Sequence, residues 1–215
     1  MRRAIGDRST LTRPGVNASV ARMSNALRLE DYHVTPEQYL AAERFSDVKH
    51  EYVAGKVYAM AGTTADHERI ASNIVRELGN RLRGRKCEVF SSNLRVRIRQ
   101  PGRKEFYYYP DALVDCTGLP GRAIYAEAPV VIFEVLSPET ERVDVGEKLA
   151  CYRSLPSLCV YAMVNQINAA ITIHRRNGDE WDTEFLGRVD AILELPEIEC
   201  SLPLSAIYER VGGIA

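Results

Sequence analysis

From Ala128 to Leu136 the chain runs Ala-Pro-Val-Val-Ile-Phe-Glu-Val-Leu, apolar throughout except for one glutamate, before Ser137-Pro138 breaks the run. Strands that are apolar on both faces are covered on both faces, so this pattern puts Glu134 in the interior. A carboxylate there is expensive to ionise unless it is paired, bound to a metal or catalytic. The rest of the chain can be read for its partners.

Upstream, Thr35-Pro36-Glu37-Gln38 combines an N-cap, a proline at the first helical position and a capping-box glutamine, which predicts a short helix over 36–44. The stretch 52–60 reads as a hairpin turning at Ala54-Gly55, with Glu51 just before its first strand. Ile70, Ala71, Ile74, Val75, Leu78 and Leu82 follow helical spacing from about 66 to 83, with His67 near the start. Strict alternation then places Leu94, Val96 and Ile98 on one strand face and Arg95, Arg97 and Arg99 on the other, after a strand over 87–91. Phe106 to Val114 is expected as one strand with Asp111 inside it, followed by a polar connection to 127. Beyond residue 137, Asp144 is placed to cap a second helix carrying Val145, Leu149 and Tyr152 on one face. Strands over 160–164, 170–175 and 181–186 and a short closing helix complete an order that suits a mixed α/β sheet.

Composition narrows the function classes. With 28 basic and 29 acidic residues the chain is close to neutral, so any hold on nucleic acid comes from a local patch. No apolar run approaches the roughly 18 residues of a membrane span and the first thirty residues have no signal-peptide core, so a cytoplasmic protein with no membrane partner is expected. The five cysteines, odd in number and without Cys-x-x-Cys spacing, read as small buried side chains in a reducing compartment. Residues 1–22 read as a disordered arm or as sequence upstream of a true start at Met23, leaving 23–215 as a single domain.

Asp111 and Glu134 fall on consecutive strands that are expected to be neighbours. Two carboxylates about 4 Å apart repel by ~4 kcal/mol at an effective dielectric of about 20, so positive charge is required between them. A hard divalent cation, Mg²⁺ or Mn²⁺, fits, since it accepts one or two carboxylates, keeps several waters and binds substrate phosphates. Lys148, in the first turns of the helix after Glu134, could reach that site, orient an attacking water and offset developing negative charge.

Tyr109-Pro110-Asp111, Phe133-Glu134-Val135-Leu136-Ser137-Pro138, Gly146-Glu147-Lys148-Leu149 with Tyr152-Arg153, and upstream His50 to Tyr58 together resemble the Uma-type restriction endonucleases of the PD-(D/E)xK nuclease superfamily. The resemblance spans about 35–210. It implies a restriction-endonuclease-like mixed sheet flanked by helices with an N-terminal hairpin extension, and a metal-dependent phosphodiesterase site with Asp111 and Glu134 as ligands. Two positions depart from the pattern: Leu136 stands where the superfamily lysine would be, which shifts that role to Lys148, and Asn93 replaces an acid before Leu-Arg-Val.

Glu51 and His67 are supporting candidates, Glu51 for the metal's water shell and His67 for a phosphate contact or for orienting Glu51. Arg95, Arg97 and Arg99 form a basic stripe that could follow a phosphate backbone, and Tyr107 to Tyr109 read mainly as packing. Neither His50-Glu51 nor His67-Glu68 has the second histidine of a zinc protease helix, Ala54 and Ala71 standing there, and Ser137 has no evident histidine base. The expectation is a metal-dependent endonuclease acting on nucleic acid, DNA before RNA, as a homodimer by analogy with nucleases that cut two strands. Its rival is a nuclease-like fold without turnover, kept as a nucleic-acid-binding or dimeric interaction module.

Overall fold

A computed structural model describes residues 33–137 and 144–214, apart from the side chains of Asp144 and Val145. These residues all belong to one compact unit, His33–Ala215. Residues 1–22, the start at Met23, the break at Pro138 and the cap expected from Asp144 lie outside the description.

Helix α1 (Pro36–Glu43) opens with the expected capping box: Gln38 N–H donates to Thr35 Oγ1 over 3.2 Å and Thr35 N–H to Gln38 Oε1 over 2.8 Å. Strands β1 (His50–Val53) and β2 (Lys56–Ala59) form the hairpin, with Ala54 and Gly55 both at positive φ, the twist a two-residue turn requires. Helix α2 (Ala65–Arg81) is capped by Thr64, which accepts from His67 N–H, so the histidine sits in the first turn as expected. Then follow β3 (Glu88–Ser91), β4 (Arg95–Gln100), β5 (Lys104–Tyr108), β6 (Ala112–Asp115), β7 (Tyr125–Ala126) and β8 (Pro129–Leu136). A wide π-helical turn (Asp144–Lys148) leads into α3 (Leu149–Arg153). Strands β9 (Val160–Asn165), β10 (Ile171–Asn177) and β11 (Glu180–Leu186), a hairpin of β12 (Ile192–Leu195) and β13 (Cys200–Pro203), and α4 (Leu204–Ile207) complete the unit.

Two large sheets result. One is mixed, in the order β11-β10-β9-β8-β6-β3 with β8 and β9 parallel; the other runs β2-β1-β5-β4-β7. The N-terminal hairpin is therefore part of the second sheet, joined through the pairing of β1 with β5. β8 lies inside the six-stranded sheet and is covered on both faces. Phe133 and Val135 pack with α2, α4 and the β12–β13 hairpin, while Ile132 packs on the other side with Tyr152, Tyr161 and the five-stranded sheet. Glu134 shares the face of Ile132, and so points at the seam between the two sheets.

Two expectations are corrected. Residues 106–114 are two strands in different sheets, separated at Tyr109-Pro110-Asp111, because Pro110 has no N–H to donate to a ladder. Asp111 is thus at a crossing between sheets, and the polar connection after residue 116 hides β7, which pairs in parallel with β4. The cysteines are not all free thiols either. Cys87 and Cys116 flank the terminal Glu88–Asp115 pair of the β3–β6 ladder and are disulfide-bonded, while Cys151, Cys159 and Cys200 are free.

Candidate active site

At the seam, the break after β5 delivers Asp111 beside Glu134: Ala112 is paired with Phe133, and Val135 N–H donates to Asp111 Oδ2 over 2.7 Å. That bond fixes one carboxylate to the strand carrying the other. His67 Nε2, from the first turn of α2, stands 3.5 Å from the same Asp111 oxygen. The other ring nitrogen of His67, Nδ1, is buried without a hydrogen-bond partner among the described residues.

Lys148 ends the π-helical turn and points inward, only 6% exposed. Its Nζ lies 3.0 Å from Glu51 Oε1 and 3.4 Å from Glu134 Oε1, and 5.6 Å from the centre of the Tyr108 ring. Glu51, within β1 rather than ahead of it, also accepts from Tyr109 N–H at 3.4 Å. The five-stranded sheet, the six-stranded sheet and the helix after β8 each contribute a charge to one ion-pair network. Two carboxylates, Glu51 and Glu134, meet at Lys148 there, with Asp111 held beside them through Val135, and Glu134 is only 4% exposed.

Tyr152 is the member that periodicity assigned to packing alone. Four residues beyond Lys148, it lies on the same helix face and donates its phenol to Glu134 Oε1 over 3.1 Å. Burial first, and then the charges of Glu134 and Glu51, push this phenol well above its ordinary pKa, so it stays a neutral donor. The signal for it was the i, i+4 spacing from a candidate lysine.

The supporting candidates Glu51 and His67 therefore both lie at the cluster. The arginine stripe is distributed differently. Arg95 is buried between the rings of Tyr39 and Tyr109 and donates to Ile124 O. Arg97 is paired with Glu105 at 2.9 Å, and Arg99, the most exposed of the three, with Glu127 at 3.1 Å. Tyr107, Tyr108 and Tyr109 are buried, as packing residues would be. Asn93 is an exposed turn residue.

Oxygen donors dominate the seam. No group of three or more His, Cys, Asp or Glu side chains has metal-holding geometry among the described residues. The Asp111 and Glu134 carboxylates, at adjoining positions of the sheet, are oxygen donors of the kind a hard cation such as Mg²⁺ or Mn²⁺ takes.

A mixed sheet whose inner strand carries a buried glutamate held by a lysine from the following helix, with an aspartate at the entry to the neighbouring strand, is a restriction-endonuclease-like α/β arrangement. Residues 36–205 match the Uma2 family, described as "Putative restriction endonuclease", and the chain belongs to that family. It is 32% identical over 181 residues to an uncharacterised protein of Synechocystis sp., covering 83% of this chain and 93% of that one. A second uncharacterised Synechocystis protein is 30% identical over 159 residues, covering 72% and 88%. The fold is also that of a crystal structure of a "putative nuclease" belonging to DUF820 from Anabaena variabilis, with a TM-score of 0.66 at 19% identity, covering 81% of this chain and 97% of that chain.

Proposed function

We propose that the protein is a metal-dependent endonuclease that hydrolyses phosphodiester bonds of nucleic acid, with DNA as the first substrate to test. The observation that carries this reading is the single network in which Lys148 meets Glu51 and Glu134, next to an Asp111 fixed to the same strand by Val135 N–H. Asp111 and Glu134 would hold Mg²⁺ or Mn²⁺. Such an ion, when bound, polarises a phosphoryl oxygen and makes hydroxide accessible near neutral pH. In this reading Lys148 orients the attacking water and offsets charge developing on the phosphoryl oxygens as the ester P–O bond breaks. Tyr152 fixes the rotamer of Glu134, Glu51 aims the ammonium, and His67 positions Asp111. Two chains acting together would cut two strands.

The test is hydrolysis of plasmid and oligonucleotide DNA with Mg²⁺ or Mn²⁺, comparing the native protein with Asp111→Ala, Glu134→Ala and Lys148→Met. Equal activity in all four removes the proposal. The inactive-module reading draws on Leu136, at the position of the superfamily lysine, and on the pairing of Arg97 and Arg99 with acids. Oligonucleotide binding with a steep salt dependence and no cleavage under any divalent ion selects it.

A further inference from the structure

Strand β2 is an edge strand of the five-stranded sheet among the described residues, and all four of its residues are exposed. Its register places Tyr58 directly opposite Glu51 and Lys56 opposite Val53. Directly opposed residues of an antiparallel pair share a face, and Glu51 uses that face to reach Lys148. Tyr58 therefore emerges on the seam side, about 5 Å along the sheet from the Glu51 backbone.

Tyr58 is 51% exposed, and it differs from the other tyrosines of the described residues. Each of those stacks on another ring or donates its hydroxyl, as Tyr39, Tyr125 and Tyr208 do. Tyr58 does neither among the described residues. Lys56, two residues earlier and on the same face, has no carboxylate within ion-pair distance among them, whereas Arg97, on the arginine stripe of β4, is closely matched by Glu105. An uncovered ring and an unmatched ammonium at the rim of an acidic cluster complement a base and its phosphate.

We propose that β2 is the substrate-gripping edge of the site: Tyr58 stacks an unpaired base of a nucleic-acid strand, and Lys56 contacts the backbone phosphate beside it. The strand then lies along β2 with the neighbouring phosphodiester presented to the Glu51, Lys148 and Glu134 network. This rests on the nucleic-acid reading above and adds the requirement for a base free of its partner. Stacking is sequence-tolerant, so Tyr58 gives grip rather than base preference.

The experiment is fluorescence anisotropy of labelled single-stranded and duplex oligonucleotides in EDTA, run alongside the cleavage assay. Tyr58→Ala is expected to weaken single-strand binding by about 5- to 150-fold, the range for loss of one stacked base. Tyr58→Trp restores it, and Lys56→Ala lowers the slope of log K against log salt by about 0.7. Circular dichroism confirms that these surface variants fold. Native binding with no change in Tyr58→Ala overturns the grip while leaving the cleavage reading intact. So does a Tyr58→Ala effect confined to the oligomeric mass, which assigns the edge to a second copy of the chain. Weakened binding in Tyr58→Ala without cleavage by the native protein supports the grip and removes the catalytic reading.

Discussion

Val135 donates its backbone N–H to Asp111 Oδ2 over 2.7 Å, so the aspartate's aim is set by the strand that carries Glu134. Removing the acceptor deprives an inward amide of its partner. Asp111→Ala is therefore expected to lower stability by about 1–3 kcal/mol, read from urea denaturation midpoints at unchanged m-value. Asp111→Asn keeps an acceptor oxygen and should lose clearly less stability, yet as little cleavage activity should survive in it as in the alanine variant. Equal stability losses in the two variants would show that the amide finds another acceptor.

Lys148 is nearly as buried as the carboxylate it serves, which makes its removal severe. Taking one partner out of a buried ion pair typically costs about 3–5 kcal/mol, and Lys148→Met is expected in that range. Adding Glu51→Gln should recover part of the loss, because one of the carboxylates that lost the ammonium is then neutral. A double-mutant cycle with a coupling below about 0.5 kcal/mol would sink the bridge between the sheets.

The disulfide closes a loop with a sequence separation of 29 between Cys87 and Cys116. On the chain-entropy account a loop of that length contributes about 3–4 kcal/mol through the unfolded state. Thiol titration of the denatured protein should count three free thiols before reduction and five after it. Reductant should shift the urea midpoint of the native protein and leave that of Cys87→Ser/Cys116→Ser unmoved.

His174 supplies a pH signature outside the Lys148 network. Burial, and then the charge of Arg153, lower its pKa below the ordinary 6.5, and its Nδ1 sits 3.2 Å from Arg153 Nη2 and 3.0 Å from Thr183 Oγ1. The unfolded chain takes up the proton first, so stability is fully present above pH 6.5 and declines as pH falls from there through the folded-state value. Urea midpoints between pH 7.5 and 5.5 should fall less steeply in His174→Gln than in the native protein.

The interior strand was legible because burial on both faces leaves no polar alternation, and a lone glutamate in such a run has few explanations. The capping box of α1, the hairpin and α2 were legible for a similar reason, since each is specified by neighbouring residues. What local patterns do not carry is the partner across space. Alternation assigned Arg95 to a face, but the tyrosines that enclose it come from α1 and from the crossing after β5. Pro110 marks the break between β5 and β6, yet the apolar residues on either side of it read as one strand. Cys87 and Cys116 meet only through the β3–β6 register. Tyr152 had the spacing of a core residue and is one, while its hydroxyl end belongs to Glu134.

The chain passes from one sheet to the other at Tyr109-Pro110-Asp111. Glu51 rides on one sheet and Glu134 on the other, and Lys148 reaches them from a helix formed later in the chain. A chain with only one sheet in place has the carboxylates but not their arrangement. In the proposed nuclease the chemistry of the seam would thus be withheld until the whole unit has closed, leaving a half-made or unravelling copy harmless to whatever strand it meets.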